Sequence, residues 1–179
     1  MLKKRELHEC QSLHSLMMDP AVFPYVRYAC QSQEEFMFLT RQLIAEEEQG
    51  ALISRTILSE TGTAIGTIDL YHIVNHTGFL ATWIGVPYFG QGYSQRAKSA
   101  FLTELFLEHD IQTVFMKIRK QNVRSRKAVE KLPYVFYSND LYPEMTQAIN
   151  VEQPIYDLYH VERSVFLECH MDVHHSLAT

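Results

Sequence analysis

The stretch from Leu80 to Leu107 constrains the chain most. An apolar run, Leu80 to Val86, breaks at Pro87, passes the glycines Gly90 and Gly92, and continues into a segment with helical periodicity. This is the pattern of a strand, a tight turn and a helix. At a helix start several backbone N–H groups lack intrahelical partners, and the aligned peptide dipoles add a partial positive charge, so an anion fits there. Gly90 and Gly92 let the backbone close on a phosphate, and Ser94 is small enough to permit the same approach. Alone, a G-x-G is better explained as a tight strand-to-helix turn.

Longer motifs extend this reading. Phe89-Gly90-Gln91-Gly92-Tyr93-Ser94 resembles the Q/R-x-x-G-x-G/A acetyl-CoA signature of GNAT-superfamily N-acetyltransferases, in the aromatic-G-x-G-Y form of the RimJ/RimL-like branch. Gly92 matches the first fixed glycine and Ser94 the Gly/Ala position, while Phe89 stands where Gln or Arg is often found. Asn122 to Tyr134 is similar to the branch's N-x-x-S-x-x-V-x-E-K-L-G-F helix, with Pro133 in place of the usual glycine. The opening from His14 to Val22 is similar to its L-x-x-D-P-x-V start.

The resemblance implies an α/β GNAT (acyl-CoA N-acyltransferase) fold, one mixed central sheet with splayed parallel strands flanked by helices. It also implies acetyl-CoA as cosubstrate, no metal, and direct transfer in a ternary complex. Phosphates and pantetheine are then expected against Phe89, Gly90, Gln91, Gly92, Tyr93 and Ser94, against backbone N–H groups near Trp83, Ile84 and Val86, and against Asn122 and Ser125. Ser125 is expected to hydrogen-bond the sulfur and protonate the departing thiolate. Asn122 also suits a helix N-cap, and both roles can coexist.

The general base is the missing part. Relatives often carry a glutamate on the strand assigned to Leu80–Val86, where this chain has none and Phe79 stands near the place. Ser138 stands near a second position where some relatives carry a glutamate. Asp69 matches an acidic position of some polyamine-acetylating relatives and is the remaining catalytic candidate. Tyr71 shares its face by two-residue alternation, and His72, a weaker candidate, takes the other. A lysine or polyamine nitrogen near pKa 10.4 is about 0.1% neutral at pH 7.4, whereas an α-amine near 7.7 to 8.0 is roughly a quarter neutral. A site without a strong base therefore suits a peptide N-terminus or an amino acid. The alternatives are a polyamine or aminoglycoside acceptor, with Asp69, Glu144 and Asp157 gathered around the cations, and a non-catalytic acyl-CoA-binding domain.

Along the chain, helical periodicity covers His8–Met18 and Gln33–Glu48, and strands are expected at 51–58, 64–74, 80–86, 111–118, 134–137 and 155–166. The strands at 80–86 and 111–118 flank a helix and should be parallel neighbours. A length of 179 residues with 46% hydrophobic content fits a single domain over 1–179, the tail from about residue 168 being peripheral. A formal charge of -5 with dispersed basic residues argues against nucleic acid, although Lys117, Arg119, Lys120, Arg124, Arg126, Lys127 and Lys131 cluster beside the proposed groove, where they suit the CoA 3'-phosphate or a solvated face. No run approaches the roughly 18 apolar residues of a membrane span. Cys10, Cys30 and Cys169, without a C-x-x-C, fit free thiols, and a cytoplasmic location is expected. A homodimer is left open. His170, His174 and His175 with Asp172 lack a completed metal-ligand pattern and read as a solvated tail.

Overall fold

The computed structural model describes the backbone from Met1 to Ser176 and the side chains through His170. Among these residues seven strands, numbered in chain order, form one mixed sheet. From one edge they are β1 (Leu2–Lys4), β2 (Ile53–Leu58), β3 (Ala64–Val74), β4 (Thr77–Ile84), β5 (Thr113–Arg119), β7 (Tyr156–Glu162) and β6 (Phe136–Tyr137). Neighbours run antiparallel except β4 and β5, which are joined through the helix α3 (Tyr93–Glu108). Their pairing is confined to Thr77↔Thr113, Gly78↔Val114 and Phe79↔Phe115. Beyond Phe79 the two strands part and leave a gap in the middle of the sheet.

Two apolar clusters hold the layers. On one face α1 (Cys10–Met17) and α2 (Gln33–Glu48) close over Leu58 and Ala64 through Leu13, Met17 and Phe36. A larger cluster joins Ile68, Leu70, Val114 and Val161 of the sheet to Phe101 and Leu105 of α3. It also includes Val129 of α4 (Val123–Val129) and Phe166 of α6 (Arg163–Ser176). The Ser32 side chain caps α2 by accepting from the Glu35 N–H at 3.2 Å, and the Glu35 carboxylate reaches back to the Gln31 N–H at 2.8 Å. That exchange satisfies donors that the helix start would otherwise leave unmet. A short helix α5 (Pro143–Ile149) packs against β7.

Several elements differ from expectation. The edge strand β1, for which no element was expected, pairs Leu2 with Ile57. β4 is displaced toward the N-terminus, because Val86–Tyr88 forms a 3-10 turn around Pro87, which cannot donate to a ladder. The expected last strand stops at Glu162, and Arg163 opens α6, whose Phe166 is buried between Phe106 and Tyr134. The segment around residue 168 is therefore packed. His170 stacks on Phe166 with ring centroids 4.0 Å apart, and its ring nitrogens meet Ser99 Oγ at 3.0 Å and Phe166 O at 2.9 Å.

Candidate active site

The turn leaving β4 is built by its own residues. Gly90 and Gly92 have φ of 73° and 76°, the left-handed region that glycine adopts without strain. Gly92 is the N-cap of α3 and has no side chain to cap it, so the first-turn N–H groups stay open to a ligand. A Cβ placed on Gly90 would meet nothing within 4 Å, so space lies beside the turn. Gln91 braces it by donating to Pro87 O at 2.8 Å, and Tyr93 packs edge-on against Tyr88. Phe89 carries the Arg124 guanidinium on its ring, 3.4 Å from the centroid. A cation from α4 thus stands beside the position where a polar side chain is often found.

Ser94 accepts a hydrogen bond from Lys98 Nζ at 2.5 Å. Lys98 is only 5% exposed and forms no ion pair among the described residues. Burial lowers its pKa to about 8. An uncompensated ammonium beneath an uncapped helix start strengthens the attraction for an anion. Sequence reading passed over Lys98 because a lysine in a helix ordinarily signals a solvated face.

The opened gap presents further unmet groups. Gly85 N–H donates to Ile65 O at 2.8 Å, and antiparallel pairing alternates by two residues, so the Trp83 backbone also faces β3. Thr82 and Ile84 then direct their N–H groups toward the side from which β5 has withdrawn. Thr82 Oγ1 is buried without a hydrogen-bond partner among the described residues. Of the expected pantetheine contacts, Ile84 borders the gap, whereas Trp83 turns its backbone to β3 and packs its indole against the α1–α2 cluster. Val86 lies in the 3-10 turn rather than on the strand. Across the gap, Asn122 caps α4 by accepting the Ser125 N–H at 3.2 Å, and Ser125 is half-buried on the first turn. Both helix starts follow the C-terminal ends of parallel strands and therefore share one edge of the sheet.

On the face bearing α1 and α2 lies a cavity of about 900 Å³, lined by Tyr71, His72, Phe79 and Lys117 and by residues of α5 and the segment before it. Asp69 lies apart from it, in a depression of about 40 Å³. Its carboxylate accepts from Ser54 Oγ at 2.5 Å, and burial raises its pKa against the opposing pull of Arg5. Asp157 is likewise engaged, by Tyr137 at 3.4 Å, Asn139 at 3.2 Å and Arg126 at 3.4 Å. Of the three acids considered for a polyamine, only Glu144 lines the larger cavity. The basic cluster divides among several partners: Arg124 lies on Phe89, Arg126 on Asp157, and Lys117 and Arg119 over the Tyr156 ring.

Sequence reading also missed a buried network. Ser138 Oγ lies 2.8 Å from Phe136 O and 2.6 Å from His160 Nδ1, so its side chain bridges the two. His160 Nε2 faces Glu162 at 3.6 Å, and Tyr142, a cavity residue, donates to the same carboxylate at 3.4 Å. Desolvation lowers the His160 pKa, with Glu162 opposing it. No three potential metal ligands gather among the described residues, and the side chains of Asp172, His174 and His175 lie outside them. No helix among the described residues is long and apolar enough to cross a membrane.

A sheet opened between two parallel strands, with an uncapped glycine turn and a second helix start on the same edge, defines the acyl-CoA N-acyltransferase class of fold. The family model described as acetyltransferase (GNAT) domain matches residues 1–135, and the chain belongs to that family. No curated protein matches the sequence. Spermidine N-acetyltransferase from Vibrio cholerae, solved with CoA and spermine, superposes with a TM-score of 0.75 at 14% identity, over 93% of this chain and 97% of that one. Ribosomal-protein-S5-alanine acetyltransferase from Vibrio fischeri gives 0.72 at 13% identity, over 90% and 92%. FdhC, a nucleotide-linked sugar GNAT, gives 0.76 at 14% identity, over 96% and 91%. At these identities the neighbours show the fold alone.

Proposed function

We propose that the chain is an N-acetyltransferase of the RimJ/RimL-like branch that moves acetyl from acetyl-CoA directly to the α-amine of a peptide or an amino acid. The observation that carries this reading is the gap beyond Phe79 and Phe115, bordered by unmet donors and ending at the uncapped start of α3. The residues fit the cosubstrate. First-turn amides from Tyr93 onward would hold its phosphates, with Lys98 and Arg124 adding charge. Thr82 and Ile84 N–H groups would hold the pantetheine arm and polarise the carbonyl, and Asn122 and Ser125 would border the sulfur.

When bound, acetyl-CoA supplies an activated thioester carbonyl. The acceptor nitrogen's lone pair forms the new C–N bond, the C–S bond breaks with its electron pair going to sulfur, and the one proton that the amine loses returns through water to replace the one delivered to the thiolate. Ser125 O–H is suited to deliver a proton to the sulfur. No carboxylate stands on β4 and Asp69 is held by Ser54, which supports an acceptor that enters already neutral. The absent base also favours a second reading, an acyl-CoA-binding domain without turnover. A panel of peptides, amino acids, spermidine and an aminoglycoside, assayed by CoA release, separates them. Release with no member of the panel would overturn the enzymatic reading.

A further inference from the structure

The cavity of about 900 Å³ has features that acetyl transfer alone does not require. Phe79 is the last residue of β4 paired with β5, and Lys117 lies two residues past Phe115, on the part of β5 that has left β4. Both line the cavity, which therefore opens onto the gap. Its volume falls within the roughly 300–1,000 Å³ of small-molecule sites, far more than an amino group alone would fill.

The walls are mainly apolar. The Tyr71 and Phe79 rings stack side by side as the floor, with centroids 5.9 Å apart. Met145 and Ile149, four residues apart on α5, share one helix face and line the same space. Phe79, Met145 and Ile149 are only half-buried, and Leu141 is 63% exposed. Apolar surface that the fold leaves wet gains free energy from an apolar group that covers it. His72 adds an independent sign of a site. Two-residue alternation sends it to the face opposite Tyr71, yet a bulge between Tyr71 and Val74 holds it at φ 52°, and its ring lines the cavity edge-on to Tyr71 at 5.2 Å. A non-glycine residue in the left-handed region is strained, and such strain gathers at ligand sites.

Charge narrows the occupant. Lys117 and Glu144 line the cavity with one charge of each sign, while Asp69 and Asp157 do not line it. A polyamine would bring several cations to a single carboxylate and a lysine. An aminoglycoside would lose the hydration of its hydroxyls against apolar walls.

Resting on the acetyl-transfer reading, we propose that this cavity selects the acceptor by taking the large apolar side chain of the residue that bears the α-amine. Leucine, methionine, phenylalanine and tryptophan are then favoured over glycine, alanine and cationic residues. The Tyr71–Phe79 floor and the Met145–Ile149 face of α5 set this preference. A free amino acid and a peptide N-terminus share the chemistry, and the test carries both.

The test is calorimetric binding of N-acetylated glycine, alanine, leucine, phenylalanine and tryptophan, as acids and as methylamides, to the CoA-loaded protein. Affinity should rise about 10- to 100-fold from alanine to the best large side chain, the worth of burying one large apolar group. Met145→Asp puts a charge on the wall and should flatten the series while leaving CoA affinity unchanged. A parent series that is flat or falls with size, no binding of any member, or tighter binding of N-acetylspermidine overturns the proposal. These outcomes are read on the parent and hold even where Met145→Asp fails to fold. A rise with size among the acids, the methylamides or both supports it and shows which of the two sources supplies the side chain. CoA release is measured in parallel with the free amino acids, matching peptides and spermidine. Turnover that ignores side-chain size sinks the pocket and leaves acetyl transfer standing. Absence of turnover with every amine sinks acetyl transfer, while the binding series still decides the pocket.

Discussion

Lys98→Met tests the anion site through stability as well as binding. The substitution keeps the length of the side chain and removes the charge. Burial lowers the ammonium's pKa from 10.5 to about 8. At about 1.4 kcal/mol for each tenfold change in proton affinity, the buried charge costs about 3 kcal/mol at neutral pH. The sign follows from proton counting. Between pH 8 and 10.5 the unfolded chain holds a proton on Lys98 that the folded chain has lost, so stability rises with pH across that window. Below pH 8 both states are protonated and the full cost is present. The variant should therefore be more stable than the parent by about 3 kcal/mol at pH 7, which is roughly 6–12 °C in Tm for a chain of this size. Its advantage should shrink to about 1 kcal/mol by pH 10. CoA affinity should move the other way, falling by about tenfold as a charge-assisted contact is lost. Thermal and urea denaturation at pH 7 and 10, with calorimetry for CoA, measure both. A variant no more stable than the parent at pH 7, or an advantage that does not narrow with pH, would refute the reasoning.

The remaining predictions concern the turn, the sulfur and the proton. Gly90→Asn keeps the left-handed backbone tolerable and puts a side chain into the open space beside the turn, so CoA affinity should fall at least about tenfold with the fold intact; parent-like binding would move the phosphates elsewhere. Ser125→Ala should lower turnover by roughly 10- to 10³-fold with little change in CoA affinity, and an unchanged chemical step would assign the proton to water. Asp69→Ala should cost about 1–3 kcal/mol of stability by leaving buried partners unmet. Its activity per folded molecule should stay within about tenfold of the parent, because loss of a general base would exceed that. Across acceptors whose amines differ in pKa, the rising limb of the pH–rate profile should move with the amine; a limb fixed for all acceptors would reveal a base on the protein.

Local signals made part of this molecule readable. α2 was legible because the apolar spacing of Phe36, Leu39 and Leu43 keeps helical periodicity up to a closing glycine. The α3 turn was legible because Gly90 and Gly92 satisfy a backbone demand that few residues meet. β1 was not, since three residues, two of them lysines, carry no periodicity and become a strand only by pairing with β2. The change from strand to helix at Arg163 was hidden within a stretch of mixed apolar and polar residues that carries no breaker. It is decided by Phe166 docking between Phe106 and Tyr134, contacts far away in sequence. The same distance hid the site's most informative polar groups. Lys98 reads as an ordinary surface cation until packing removes its counter-charge, and Ser138 meets His160 only because β6 pairs with β7.

The missing carboxylate acquires a physical explanation from the floor of the cavity. Tyr71, Phe79 and Phe115 are register partners on three adjacent strands, with ring centroids 5.9 Å and 5.8 Å apart in succession, and His160 continues the row on β7. Where a glutamate would stand, an aromatic wall limits water and lowers the local dielectric, which penalises an ammonium more than a neutral amine. Lys117 on the same surface adds repulsion of the same sign. His160 is poorly placed to take the proton directly, since Nδ1 is engaged with Ser138 and Nε2 faces Glu162 rather than the cavity. On the acetyl-transfer proposal these surroundings would favour the deprotonated acceptor, a strategy that suits amines close to neutrality in water. Asp69, the remaining strand acid, would otherwise be the natural base; its tie to Ser54 is the reason the acceptor's own pKa, and not an enzyme group, should set the pH dependence.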